Sequence, residues 1–407
     1  MEPRIDTRKT VDSRVWGTGS GRGEPVKPER GKEPSPNPDD ERGPPSRAIL
    51  ETLRTSPYFE INMSVILGIE TSCDETSAAV LRDGILLSNV TKTQLVHHRY
   101  GGVVPEMASR AHQKLIVPIV RQALETAGVR IDEIHAVAAV YGPGLIGSLI
   151  VGLNFAKAFS LARGIPFIAV NHLVAHLYSN FLEEDKPEFP YVALIVSGGH
   201  TILSFVEAPF VHRVLGETRD DAAGEAFDKV AKMLGLGYPG GPAIDRAAME
   251  GDPAYVSFPR ADIGGAYEFS FSGIKTSVLY HLRKNGLLPG NGKRVEPPVL
   301  NHIAASFQAA VVDVLTKKTV RAAGEHRVRH VTVSGGVAAN NALRKSLRGE
   351  LSARGIALHI PRMDFCTDNG AMTAYIGMLR LERGDHSPLD VGPAPSIDLV
   401  DEVICHA

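Results

Sequence analysis

His172 and His176 stand four residues apart in the run Asn171-His172-Leu173-Val174-Ala175-His176. On a helix that spacing is about one turn, so both imidazoles leave one face and can hold a cation by two edges. The pattern is loose, because the glutamate of HExxH is missing, and paired helical histidines more often pack as ordinary surface or core residues. Asp368, in Phe365-Cys366-Thr367-Asp368-Asn369-Gly370, opens a predicted helix, where capping is its default task. As a third ligand it would complete a two-histidine, one-carboxylate set, which leaves coordination positions open and suits iron(II) or zinc. Cys366 reads as a small buried residue.

Other carboxylates are candidates for different work. Asp74 and Glu75 lie in a small polar turn, where they can act as a base, hold a cation, or simply be solvated. Asp221, Glu225 and Asp228 recur at i, i+4 and i+7, an acidic stripe that is usually solvated but could meet hydroxyls of a ribose or an amino-acid group. Three turns of small residues, Thr71 to Thr76, Ser197 to His200 and Ser334 to Val337, could bring backbone N–H groups close to a phosphate. Each alone is compatible with a plain tight turn. Three in related positions favour a nucleotide cleft.

These residues need a frame. Val65 to Glu70, Ser77 to Leu81 and Gly84 to Val90 read as strands around the first polar turn. A helix is expected from Glu106 to Ala127, stopped by Gly128. Next come a strand (Ala136 to Val140), a glycine turn, a helix ending at Arg163, and a strand (Pro166 to Val170) that leads into the histidines. After a connector at 186–190 the order recurs. It runs through strands 191–196 and 201–206, helices 221–234 and 301–323, strand 330–334, helix 338–354, strand 357–360 and helix 367–383. The recurrence predicts an α/β fold of two duplicated lobes, with both polar turns at a central cleft. Residues 63–188 form the expected first lobe, 189–385 the second with an insertion at about 235–299, and 386–407 a tail. The insertion is rich in glycine and proline, and its own motifs mark it as functional.

Residues 1–62 are rich in Pro, Gly, Arg and acidic residues and lack apolar periodicity. They are expected to be either a disordered extension or upstream of a true start at Met63. The 407 residues carry a net charge of −2, which excludes a strongly cationic nucleic-acid coat but not a local patch. Arg110, Lys114, Arg260 and Lys275 are candidates for one. Three cysteines make no disulfide framework and fit a reducing cytoplasm. No uninterrupted apolar run is long enough to span a bilayer, and no secretory signal is present, so no membrane partner is expected.

Taken in order, several motifs occur together: Gly68 to Thr76, Gly101 to Arg110, His172 with His176, Val196 to Thr201, Asp221 to Asp228, Phe269 to Thr276, Ser334 to Asn340, and Cys366 to Met372. As a set they closely resemble the tRNA adenosine threonylcarbamoyltransferase family, the TsaD group once described as O-sialoglycoprotein endopeptidases. The resemblance covers about residues 64–383. It implies an actin-like (ASKHA) fold and transfer of threonylcarbamoyl from threonylcarbamoyl-AMP to N6 of adenosine 37, in tRNAs reading codons that begin with A. It implies one divalent metal ion, iron(II) first and zinc second, on His172, His176 and Asp368. It places Ile195, Val196, Ser197, Gly198, Gly199, Asp228, Gly241, Asp245 and Asn340 against the adenylate, and makes Asp74 and Glu75 important for activity. A bacterial-type member works with a TsaB-like paralogue and a TsaE-like ATPase, a mitochondrial-type one alone as a homodimer. The family often has Glu-Gly between the metal histidines; Val174-Ala175 stand there in this chain, a change expected to touch only contacts behind the ligands. An actin-like ATPase or sugar kinase is the alternative on fold alone, and leaves the histidines without a task.

Overall fold

The computed structural model describes residues 64–260, 264–288, 296–399 and 405–406. The expectations for residues 1–62, including a start at Met63, lie outside the described residues. The first lobe holds β1 (Val65–Glu70), β2 (Glu75–Arg82), β3 (Ile85–Thr93), α1 (Pro105–Ala127), β4 (Ala136–Gly142), α2 (Ile146–Arg163) and β5 (Phe167–Asn171). A seven-residue helix, α3 (His172–Tyr178), follows at once. The second lobe holds β6 (Tyr191–Val196), β7 (Thr201–Ala208), β8 (Val211–Glu217), α4 (Ala223–Leu234), α5 (Gly240–Ala248), α6 (Ser272–Lys284), α7 (Pro297–Glu325), β9 (His330–Ser334), α8 (Asn341–Ser352) and β10 (Ala357–His359). Then come the short α9 (Met363–Cys366) and α10 (Gly370–Glu382).

The two sheets have the same topology. The first runs β3-β2-β1-β4-β5 and the second β8-β7-β6-β9-β10. In each, the first two pairings are antiparallel and the last two parallel. Tight hairpins make the antiparallel half, and crossover helices make the parallel half. The central strands β1, β4 and β6 are buried along their whole length, as a sheet covered on both faces requires.

The helices after β5 and β10 both reach the first sheet. α3 lies between the sheets, touching β4 and β5 as well as β6 and β9, and α10, within the range expected for the second lobe, packs on β1, β2 and β4 of the first. That approach needs residues without side chains. A Cβ on Gly68 would sit 2.4 Å from Ala374 N, and one on Gly370 would sit 2.7 Å from Ala79 N. A single apolar cluster, with Ile66, Ile168, Tyr178, Tyr191, Ile195 and Met372 among its members, fills the space between the sheets.

Three differences from the sequence reading have physical causes. The acidic stripe is not one helical face, because α4 begins at Ala223 and Asp221 lies ahead of it. The insertion contains two helices, α5 and α6. α7 is long and apolar enough to cross a membrane by length and composition, although no uninterrupted apolar run marks it; 67% of its most apolar window is buried inside the protein.

Candidate active site

The metal candidates come from the helix that follows β5 and from the turn between α9 and α10. Asn171 ends β5 and caps α3: its Oδ1 accepts from Leu173 N at 2.9 Å and from Val174 N at 3.4 Å. The cap makes His172 the first helical residue and puts His176 one turn on. Asp368 arrives between α9 and α10. The expected capping task falls instead to Asn369, whose Oδ1 accepts from Met372 N at 3.0 Å. Asp368 is thereby left for the histidines. Its Oδ1 lies 3.0 Å from His176 Nε2 and 3.5 Å from His172 Nε2.

The donor set fits a divalent cation. One ligand atom from each of the three residues lies within 4.8 Å of the others. His172 Nδ1 is 2.9 Å from Glu70 Oε2, so the carboxylate orients the ring and leaves Nε2 facing Asp368. A carboxylate behind a ligating histidine fixes its tautomer and raises its basicity. Sequence reasoning missed Glu70; the signal was a charged residue closing an otherwise apolar strand, fully buried here. The same carboxylate accepts from Ser72 N at 2.6 Å, which ties the first polar turn to the histidine.

Electrostatics follow from this crowding. Burial opposes charge on His172, but Asp368 and Glu70 outweigh it and hold the imidazolium up to about 9. Burial also acts against the Asp368 carboxylate, yet His172 and His176 pull its pKa well below the usual range. His200 is driven down to about 4, by burial first and then by His172 and His176, and stands neutral beside them. Glu75 is pushed well above the usual carboxylate range by burial, by the charges of Asp368 and Asp74, and by a hydrogen bond with Asp74. Asp74 and Glu75 thus share the acidic side of the metal candidates. His112 on α1, also missed, clamps this turn: its Nδ1 is 2.8 Å from Thr76 Oγ1 and its Nε2 donates to Cys73 O at 3.0 Å.

The adenylate candidates divide into open and closed positions. Gly198 and Gly199 are exposed, and a Cβ on either would meet nothing within 4 Å. Ser197 closes the turn, its Oγ accepting from His200 N at 3.1 Å. Ile195 and Val196 have no exposed surface and belong to the apolar clusters. Behind the turn, a Cβ on Gly335, at φ +88°, would sit 2.4 Å from Val196 O, so this turn requires glycine. Asp228 accepts from Gly240 N at 2.6 Å, and Gly241 is free of Cβ contacts. Burial, then the charges of Asp74 and Glu225, raise the Asp228 pKa against that hydrogen bond. Asp245 Oδ2 accepts from Asn341 Nδ2 at 2.7 Å. Asn340 is engaged at both ends, capping α8 through Leu343 N at 2.9 Å and donating to Gln308 Oε1 at 2.8 Å.

The remaining motifs support the cleft. Asp220 accepts from Phe271 N at 2.8 Å, Ser272 N at 3.1 Å, Ser270 Oγ at 2.5 Å and Ser272 Oγ at 2.6 Å. It latches the Phe269 to Thr276 motif to the entrance of α4. Asp221 is 2.8 Å from Lys229 Nζ and 2.6 Å from Lys275 Nζ. Of the four basic candidates, Lys275 is therefore committed to Asp221, Arg260 is 3.3 Å from Asp313, and Arg110 is 2.7 Å from Glu106. Val174 and Ala175 are fully buried in the cluster between the sheets.

Comparison with known proteins agrees with this arrangement. The family model described as "TsaD: tRNA N6-adenosine threonylcarbamoyltransferase" matches residues 85–375. The chain is 49% identical over 340 residues to a tRNA N6-adenosine threonylcarbamoyltransferase of Caldicellulosiruptor saccharolyticus, covering 83% of this chain and 99% of the relative. It is 50% identical over 341 residues to one of Symbiobacterium thermophilum, covering 83% and 98%. Among solved structures, T. kodakarensis HypF shares the fold at a TM-score of 0.54 and 16% identity, over 79% of this chain and 48% of that one. A duplicated actin-like α/β frame, a buried two-histidine, one-carboxylate set and near-half identity along almost the whole of these relatives establish that the chain belongs to the TsaD family of tRNA N6-adenosine threonylcarbamoyltransferases.

Proposed function

We propose that this protein transfers threonylcarbamoyl from threonylcarbamoyl-AMP to N6 of adenosine 37, in tRNAs reading codons that begin with A. The observation that supports it most is the triad of His172, His176 and Asp368, whose ligand atoms lie within 4.8 Å of one another. An actin-like ATPase or sugar kinase has no task for two buried histidines backed by Glu70.

In this reading His172, His176 and Asp368 hold one divalent cation, iron(II) or zinc. The ion supplies a fixed positive charge and Lewis acidity for oxygens of the threonylcarbamoyl group. The open turn Ser197-Gly198-Gly199 takes the phosphate, and Asp228, Gly241 and Asp245 border the nucleoside. Ile195, Val196 and Asn340 act as the scaffold of that wall. The N6 amine attacks the carbamoyl carbon, the C–N bond forms, the C–O bond to phosphate breaks, and AMP leaves. The amine must lose a proton, and we assign it to the Asp74–Glu75 pair, which already shares a hydrogen bond. The mixed anhydride is activated in advance, so positioning and charge stabilisation carry most of the catalysis. An anticodon-loop base is accessible and can be splayed into the cleft.

The lobes are read as 63–188 and 189–385, with 235–299 as the insertion. The enzyme is placed in the cytoplasm, with a TsaB-like paralogue and a TsaE-like ATPase as partners. Support for a docking partner comes from α1 and α2, which expose Val117, Ile146, Ile150 and Leu161.

The test is incubation with unmodified tRNA and threonylcarbamoyl-AMP, with and without those partners, followed by nucleoside analysis. Threonylcarbamoyl-adenosine should appear, and His172→Ala should abolish metal binding and transfer together. Normal metal content and activity in that variant would sink the proposal.

A further inference from the structure

The segment expected as a tail is built into the first lobe. From Ser387 to Leu399 the chain has neither strand nor helix, yet its backbone is bonded throughout. Ser387 N donates to Phe167 O at 2.8 Å, and its Oγ accepts from Ala169 N at 3.0 Å. Lys157 Nζ donates to Val391 O. Ala394 N donates to Tyr141 O at 2.7 Å, and Pro395 O accepts from Gly144 N at 3.1 Å. Asp398 O accepts from Asn171 Nδ2 at 2.9 Å, and Leu399 O lies 3.1 Å from His212 Nε2 on β8. Val391 and Leu399 are buried as well.

Two of these bonds reach the active site. Gly144 leads to Leu145, whose N–H donates to Ser72 O at 2.8 Å in the first polar turn. Asn171 divides its amide: Oδ1 caps α3, and Nδ2 is held from behind by Asp398 O. α3 has only seven residues, too few to be rigid alone, so its direction depends on the packing of its buried side chains and on what holds its first turn. That turn carries His172.

We propose that Ser387–Leu399 is a positioning strap, which fixes the aim of His172 and His176 through the Asp398–Asn171 hydrogen bond. The proposal rests on the metal-site reading above. Its test uses the full chain and Co²⁺ alone. Removing the strap would uncover Val391 and Leu399 and unfold part of the lobe, so the informative variant is Asn171→Ser. Serine caps a helix about as well as asparagine. Its side chain ends where Asn171 Cγ lies, one bond short of the Asp398 carbonyl. The variant should stay folded and lose no more melting temperature than one part-buried hydrogen bond supplies. It should bind Co²⁺ about 10-fold or more weakly, with a shifted ligand-field spectrum and faster amide exchange at both 172–178 and 387–399. Wild-type Co²⁺ affinity and spectrum in Asn171→Ser would overturn the strap. Failure of the unaltered protein to bind Co²⁺ would overturn the metal site itself.

Discussion

Glu70 and His172 meet at 2.9 Å across 102 residues of chain, the carboxylate fully buried and the imidazole nearly so. Ser72 of the first polar turn reaches the same nitrogen, its Oγ 3.3 Å from His172 Nδ1. Glu70→Gln keeps the shape and can still hydrogen-bond, but it removes the charge that orients the ring and raises its basicity. Metal affinity should fall about 10- to 100-fold with little change in fold. A competition titration with a chromophoric chelator measures this, and equal affinities would refute the role given to Glu70.

Acidity gives a second test. His172 keeps its proton up to about 9 in the metal-free protein, against a usual 6.5. A raised pKa contributes stability that is complete below 6.5 and is lost as pH rises through about 9. Asp368 has the opposite sign: its depressed pKa stabilises above its usual 3.8 and is lost only on strong acidification. His200, held down to about 4, is neutral in both states above its usual 6.5 and adds nothing there. The metal-free protein should therefore lose melting temperature between pH 6.5 and 9. A bound cation requires neutral imidazole, so its affinity should climb by up to about 10-fold per pH unit over that range. A flat affinity profile would show that His172 is not the group displaced.

The Asp220 latch can be opened alone. Asp220→Ala removes four hydrogen bonds at the start of α6 and should cost about 1–2 kcal/mol, as loss of a helix cap does. Urea denaturation should give the loss, and hydrogen exchange should place it at residues 269–276. Asp220→Asn keeps an acceptor for the two backbone N–H groups and should recover part of it.

Basic residues should separate by what already holds them. Lys114 lines a groove of about 1010 Å³ beside α1 and α2. Lys114→Ala should weaken tRNA binding evenly across sequences and lower the salt slope by about 1. Lys275→Ala should also take one of its two ammonium partners from Asp221 and so lower thermal stability. Filter binding at several salt concentrations, beside melting curves, distinguishes the two. Unchanged salt slope in Lys114→Ala removes that residue from the RNA surface.

Local pattern revealed the duplicated order of strands and helices because buried strands such as Val65–Glu70 and Tyr191–Val196 are unbroken apolar runs. β8 escaped because it is an edge strand with one face in solvent, where His212 and Arg213 interrupt the apolar signal. α6 escaped because the side chain that holds its first residue, Asp220, lies 52 residues upstream. The metal triad was legible as residue types, whereas Glu70, His112 and the Asn171–Asp398 bond depend on contacts across 102, 36 and 227 residues, which no local pattern carries.

The origin of the three ligands has a consequence for how the ion would be kept. His172 and His176 follow β5, and Asp368 follows β10, the matching strand of the other repeat. The ligands therefore come from both sequence repeats. A cation there would be a rivet through both repeats: neither half could make the site by itself.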